Sequence, residues 1–414
     1  MMLTMTFHSF DLNPNILKAI AEAGYTQPTP IQLEAIPHVL TGRDIRGSAH
    51  TGTGKTAAFL VPALHRLATT KPQQGKGPRL LILVPTRELG MQIAGQAEKY
   101  STHMPRMRTL CIGGGVPYSK QLPKLSRPYD ILVATPGRLI DFMHRKKISL
   151  ERLDMLVLDE ADRMLDMGFV QPVEEIVAAA PSSRQTLLFS ATLEGSVKKL
   201  SQRILRDPVD VTIESHETQH ANIDQKLHYV DTLSHKTSLL DHILSDNDVY
   251  TAIIFTSTKR YADQLVAELG EKGHRAGALH GDMNQRQRSR TIASLQKGKI
   301  RILVATDVAA RGIHVDSITH VINFDLPFHP EDYVHRIGRT GRAGAKGTAL
   351  SFASPRDRGI VKQIERFTKR PFDIVTIPGL EPKQREERPF RKKPRKRPFA
   401  ATSPKRPHFR KKRR

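Results

Sequence analysis

The chain has 414 residues, with 65 Lys or Arg against 41 Asp or Glu and a formal net charge of +24. That length exceeds one ordinary core and predicts two domains plus extensions, while the charge points to a polyanionic partner. A single cysteine, Cys111, excludes a disulfide framework, and no apolar run of 18 residues or basic-then-apolar leader is seen, so a cytoplasmic protein is expected.

Residues 1–32 carry Phe7, Phe10 and a helical pattern over Pro14–Ala23 that Gly24 closes. Tyr25-Thr26-Gln27-Pro28-Thr29-Pro30-Ile31-Gln32 follows, with two prolines that hold an extended turn. A rigidly aimed Gln32 amide matches adenine at N6 and N7, and Tyr25 is placed to stack on a base. The plainer reading is a proline-braced loop that starts the helix Gln32–Leu40.

Ala49-His50-Thr51-Gly52-Thr53-Gly54-Lys55-Thr56 stands between a strand end at Asp44–Ser48 and a helix over Ala57–Leu67. Strand, glycine loop and helix make a phosphate cradle: backbone N–H groups and the helix N-terminus face one anion. Lys55 is expected on the β- and γ-phosphates and the Thr56 hydroxyl on Mg²⁺. The usual first glycine of that pattern is Ala49 here. A glycine-rich turn before a core helix would need none of this chemistry.

Leu80–Val84, Ile131–Ala134, Met155–Leu158 and Thr186–Phe189 read as parallel strands buried on both faces. Loops at their C-terminal ends are where ligands bind in such sheets. Asp159-Glu160-Ala161-Asp162 directly follows one of them. Asp159 is placed to hold Mg²⁺ and Glu160 to orient or deprotonate the attacking water. Alone, the same residues would read as an acidic helix cap.

With these motifs in order, the chain resembles a DEAD-box RNA helicase from residue 7 to about 345. Phe7 with Gly24–Gln32 is similar to the Q motif, Ala49–Thr56 to motif I, and Pro85-Thr86-Arg87-Glu88-Leu89 to motif Ia. Asp159–Asp162 is similar to motif II and Ser190-Ala191-Thr192 to motif III. Gly114-Gly115 and Thr135-Pro136-Gly137-Arg138 resemble RNA-contacting loops. In the second half stands His335-Arg336-Ile337-Gly338-Arg339-Thr340-Gly341-Arg342, and the resemblance implies that Arg339 and Arg342 are arginine fingers on the γ-phosphate. Planar guanidinium forks suit the charge of a transferring phosphoryl group. The resemblance further implies that Asp307 contacts ribose, and that Gln285, Arg288, Thr306 and Arg311 contact RNA. Asp162, Ser190, Thr192 and His335 would couple ATP to RNA. The branch it most resembles is the short bacterial RhlE-like one.

Three positions depart from the family's pattern: His50 for Gln, Gly90 for Ala, and His314 for the Asp of motif V. Residues 208–225 are polar and read as a linker. Strands resume at Ala252–Phe255, Ala276–Leu279, Ile302–Ala305 and His320–Phe324, without a second phosphate loop. The last 34 residues, 381–414, hold 16 Lys or Arg, three Glu and six Pro, a composition that forms no core. Clustered cations bind nucleic acid through counterion release, and Phe390, Phe399 and Phe409 between them suit base stacking.

The expected fold is therefore α/β: two tandem RecA-like parallel-sheet domains with a disordered basic tail. The expected division is 1–32 Q-motif segment, 33–207 ATP-binding domain, 208–225 linker, 226–375 C-terminal domain and 376–414 tail. The expected activity is ATP-dependent local unwinding or remodelling of RNA by a monomer using ATP and Mg²⁺, with ribosomal precursors or RNA decay as its setting. A DNA helicase on the same core, or an RNA clamp without turnover, are the rival classes. RNA against DNA duplexes, and ATPase with and without RNA, separate them.

Overall fold

A computed structural model describes residues 5–48, 53–213, 222–310, 315, 317–341 and 345–383. Seven strands form the first sheet: β1 (Ile45–Ser48), β2 (Leu80–Leu83), β3 (Thr109–Ile112), β4 (Ile131–Ala134), β5 (Met155–Leu158), β6 (Gln185–Ser190) and β7 (Val209–Thr212). Seven more form the second: β8 (Ile223–Tyr229), β9 (Ala252–Phe255), β10 (Ala276–Leu279), β11 (Ile302–Ala305), β12 (His320–Asn323), β13 (Gly347–Ala353) and β14 (Asp373–Ile374). The spatial orders are β3-β4-β2-β5-β6-β1-β7 and β10-β11-β9-β12-β13-β8-β14. Numbered within each domain, these are the same order. The two halves are one architecture used twice, although only the first carries a phosphate loop.

All strand pairs described are parallel. Parallel strands need crossover helices, and these cover both faces of the sheet. Alternate residues of one strand therefore enter two different cores. Leu80 and Ile82 pack with Phe59, Leu60 and Leu64, whereas Leu81 and Leu83 pack with Leu139, Phe142 and Val173. In the second domain Ile254 and Ile253 divide in the same way.

Three expected boundaries are corrected. Residues 1–32 are not a separate segment, because Phe7, Phe10, Ile16, Ile20 and Ile31 lie in the first domain's core. Val209–Thr212 is not linker but an edge strand. Val211 is buried there while Asp210 faces outward and pairs with Arg46 at 2.6 Å. An edge strand needs only one apolar face, so its sequence looks polar. At the other end, β14 pairs with β8, Ile377 and Leu380 pack on the second core, and the Lys383 N–H donates to Asp231 at 2.8 Å. The second domain thus runs to Lys383, beyond the expected end at 375. The remainder of the tail, with Phe390, Phe399 and Phe409, lies outside the described residues.

Candidate active site and nucleic-acid interface

The C-terminal ends of β1 and β5 bring the first domain's chemistry together. The helix Lys55–Thr69 begins at the end of β1, and Lys55 is buried with its Nζ 3.9 Å from Asp159 Oδ1. Gly54 precedes it with φ +95°, and a Cβ there would stand 2.5 Å from Gln32 Nε2. Both the backbone turn and the close approach exclude a side chain. Thr53 and Thr56 flank this turn. Ala49, His50, Thr51 and Gly52 lie outside the described residues.

Gln32 is only 2 % exposed and braces that turn. Its Nε2 donates to the Gly54 carbonyl at 3.1 Å, and its Oε1 accepts from the Thr29 N–H at 3.0 Å. The second bond closes a capping box on the helix Pro30–Leu40. Thus the bracing role weighed from the sequence is present. An amide has two protons and two lone pairs, so each atom retains a second position for adenine. Gln32→Ala is expected to raise the KM for ATP and to relax preference over GTP by about 1–3 kcal/mol. Equal losses for both nucleotides would restrict Gln32 to bracing. Phe7 is buried in the core, and Tyr25, 40 % exposed, packs edge-on against Tyr100 with Lys99 over its ring.

Asp159 is buried, and burial pushes its carboxyl up to about 6, against the pull of Lys55. A carboxylate so placed calls for a cation. Glu160 adopts φ +52°, ψ 53°, a left-handed conformation that costs a non-glycine residue energy and persists where surroundings impose it. Its N–H donates to Asp159 Oδ1 at 3.0 Å. Next, the Asp162 N–H donates to Ser190 Oγ at 3.3 Å, joining motifs II and III. Thr192 lines a larger interdomain cavity with Asp162 and His335.

The second domain closes over this end. His335 Nε2 lies 3.8 Å from Asp162 Oδ2. Arg339 lines one narrow cavity with Glu160 and Asp307, across the domain boundary. Asp307 is held by Arg336 in a two-pronged pair at 2.6 and 2.7 Å, so its carboxylate already has a cation. Arg342 lies outside the described residues, as do Arg311 and His314.

Sequence reading missed one strong contact here. Arg163, directly after Asp162, is 4 % exposed and hydrogen-bonds Asp332 of the second domain. Asp332 and His335 are three apart on the helix Pro330–Ile337 and therefore share a face. Asp162 and its neighbour Arg163 thus meet His335 and Asp332 of one helix face. Arg163 had no motif role, and its partner stands 169 positions away.

The second cluster lies at the ends of β2, β3 and β4. Pro85 and Thr86 precede the helix Arg87–Tyr100, whose N-cap is Thr86. Gly113 gives Arg87 room, since a Cβ there would stand 2.9 Å from Arg87 Cβ. Buried Gln121 holds the adjoining loop through Gly113 and Val116. Glu88 accepts from Gln285 at 3.2 Å and from Arg288 at 3.0 Å, again across the domains. Gly115 faces Gln285 as well. So Gly114–Gly115, Arg87, Gln285 and Arg288 are brought to one seam. Thr135 N-caps the helix Pro136–His144, in which Gly137 leads to Arg138. The Arg138 guanidinium donates to the Val116 carbonyl at 2.8 Å and stacks 4.6 Å over Tyr118, so it supports the loop from behind. Thr306 directly follows β11, and its carbonyl accepts from the N–H of Ala309, whose own carbonyl accepts from Arg288. The Gly90 departure also has a packing reason: a Cβ would meet Cys111 Sγ at 3.2 Å and Val84 at 3.3 Å.

Two parallel-sheet domains flanked by helices, with a glycine-loop lysine and buried carboxylates in one facing an arginine of the other, define a two-domain nucleotide-dependent helicase core. The DEAD/DEAH box helicase model matches residues 29–200, and the helicase conserved C-terminal domain model matches residues 235–344. The chain is 44 % identical over 378 residues to the ATP-dependent RNA helicase SrmB of Haemophilus influenzae, covering 91 % of this chain and 86 % of that protein. It is 42 % identical to the DEAD-box ATP-dependent RNA helicase CshA of Bacillus cereus, covering 91 % and 70 %. Among solved structures, Saccharomyces cerevisiae Dbp5 bound to RNA and ADP BeF3 superposes with TM-score 0.81 at 30 % identity, covering 89 % of this chain and 95 % of that one. The chain belongs to the DEAD-box family of ATP-dependent RNA helicases. A DEAD box protein from Methanococcus jannaschii, at 37 % identity and covering 90 % and 99 %, superposes with a TM-score of 0.51.

Proposed function

We propose that this protein is an RNA-stimulated ATPase that opens or remodels RNA duplexes and RNA–protein complexes locally. The observation that carries this is the shared cavity of Glu160 and Arg339, which come from different domains. Hydrolysis then requires domain closure, and closure also completes the seam of Glu88, Gln285 and Arg288.

In this reading Lys55 binds phosphate oxygens, with Thr53, Gly54 and the loop before them supplying backbone donors. Gln32 and Tyr25 receive the adenine and Asp307 the ribose. Thr56 and Asp159 suit Mg²⁺, since both offer the hard oxygen ligands that ion prefers and Asp159 is a buried carboxylate in need of a cation. Mg²⁺ would neutralise phosphate charge. Glu160 orients water and takes its proton. Arg339 and Arg342 neutralise the transferring phosphoryl group. Asp162, Ser190, Thr192 and His335 link that event to the RNA seam, where Pro85, Thr86, Arg87, Gly114, Gly115, Thr135, Pro136, Gly137, Thr306 and Arg311 contact the strand. No helix among the described residues is long and apolar enough to cross a membrane. We place the protein in the cytoplasm as a monomer of the short RhlE-like type, acting on ribosomal precursors or in RNA decay.

ATP turnover measured with no nucleic acid, with RNA and with DNA tests the reading. Strong stimulation by RNA alone is expected, and equal stimulation by DNA or none would overturn it. The tail is expected to tether. Deleting residues 384–414 removes 15 Lys or Arg. If about half of them contact RNA, the slope of log K against log[salt] becomes shallower by about 5 units. Maximal ATPase at saturating RNA stays near wild type. An unchanged slope would detach the tail from RNA.

A further inference from the structure

The last helix, Arg358–Thr368, has one apolar and one cationic face. Val361, Ile364 and Thr368 are buried, and the helix packs on Pro330–Ile337, which carries His335. Arg358, Lys362 and Arg366 follow at intervals of four, and Lys369 continues the row just past the helix. All four are exposed, and none makes an ion pair among the described residues.

Helix physics alone does not produce this row. Like charges four apart repel and destabilise a helix by a few tenths of a kcal/mol per pair. Cations near the C-terminus complement the helix dipole, which accounts for Arg366 and Lys369. Arg358 stands in the first turn, where a cation opposes the same dipole. The one acid within the helix, Glu365, accepts from the Phe372 N–H at 3.2 Å, and Asp357 at its N-cap accepts from Ser354, so neither pairs with the row. Arg370, Pro371 and that same Glu365 join Lys362, Arg366 and Lys369 around an open concavity beyond the helix end, where four cations outnumber the one acid. The row runs about 16 Å along a rigid axis at 1.5 Å per residue.

We infer that this face is a second RNA-binding surface, which holds the phosphate backbone of RNA lying outside the interdomain seam. It rests on the reading of the protein as an RNA helicase. The row belongs wholly to the second domain, so it engages RNA with or without ATP and with the domains open or closed. It recognises charge and not sequence, as phosphate contacts do. An RNA held at this face and at the seam is contacted twice, which keeps it attached while the seam opens between cycles.

The test is the full-length quadruple variant Arg358→Gln, Lys362→Gln, Arg366→Gln, Lys369→Gln, with folding checked by thermal melting. Its affinity for a mixed-sequence RNA, a duplex with a single-stranded overhang, is measured without nucleotide over a salt series. The expected slope of log K against log[salt] is shallower by about 3 units, for four contacts at 0.7–0.9 each. The RNA concentration for half-maximal ATPase rises at least tenfold, while maximal ATPase holds. An unchanged slope in a protein whose ATPase is still stimulated by RNA overturns this inference alone, and would leave the face to an acidic protein partner. Absence of RNA stimulation in the wild-type protein overturns the reading beneath it. A variant that melts early is replaced by Arg358→Gln with Lys362→Gln, for which a loss of about 1.5 units is expected and no loss is again fatal.

Discussion

Glu160→Gln is expected to slow ATP hydrolysis a hundredfold or more while leaving ATP and RNA binding nearly intact. The amide keeps the size of the side chain and its position before the helix Ala161–Asp166. It removes only the capacity to take a proton from water, and positioned acid–base groups contribute about 10²–10⁴-fold. The backbone at this residue supports the assignment. A left-handed, buried glutamate between two buried aspartates is unfavourable in conformation and in charge. Sequence position alone would have allowed an ordinary helix cap. Single-turnover hydrolysis with nucleotide binding measured in parallel decides the matter. Wild-type turnover in the variant would remove Glu160 from catalysis.

Breaking the Arg163–Asp332 pair is expected to have the next largest effect. Removing one member of a buried ion pair costs about 3–5 kcal/mol, because the other charge stays buried. Asp166, 3.4 Å from Arg163, softens that cost on one side. Arg163→Gln should therefore lower RNA-stimulated ATPase by about 10²-fold, which corresponds to roughly 2.7 kcal/mol at 1.36 kcal/mol per factor of ten. Asp332→Asn should do the same, and the double variant should lose little more than either single, since each removes the same interaction. ATP binding without RNA should hold, because the first domain carries the phosphate site. Additive losses would show that the two residues act independently of each other. Unchanged rates in both singles would show that the pair forms without guiding closure.

Much of this molecule is legible from local pattern. Ile131–Ala134, Met155–Leu158, Ala252–Phe255 and Ile302–Ala305 form strands with the expected bounds. Each is apolar on both faces, because parallel sheets bury both sides. The meeting of Lys55 with Asp159, Glu160 and Asp162 is legible for a related reason, since a glycine loop and strand-end acids both fall at the C-terminal ends of parallel strands. Where burial is one-sided, pattern fails: β7 looks like linker, and the 376–383 segment looks like tail.

What only the tertiary structure decided lies between the domains. Glu88 meets Gln285 and Arg288 some 200 positions away, and Arg163 meets Asp332. Nothing in local periodicity distinguishes an arginine that spans a cleft from one that faces water. The partner's identity depends on how two rigid sheets are set against each other. The same holds for Arg138, Asp307 and Gln32, whose charges and amides proved to be engaged within the protein. Their residue types were readable in the chain. Which neighbours take up their hydrogen bonds is settled only by packing, because a donor pairs with what stands within about 3.2 Å and not with what is near in sequence.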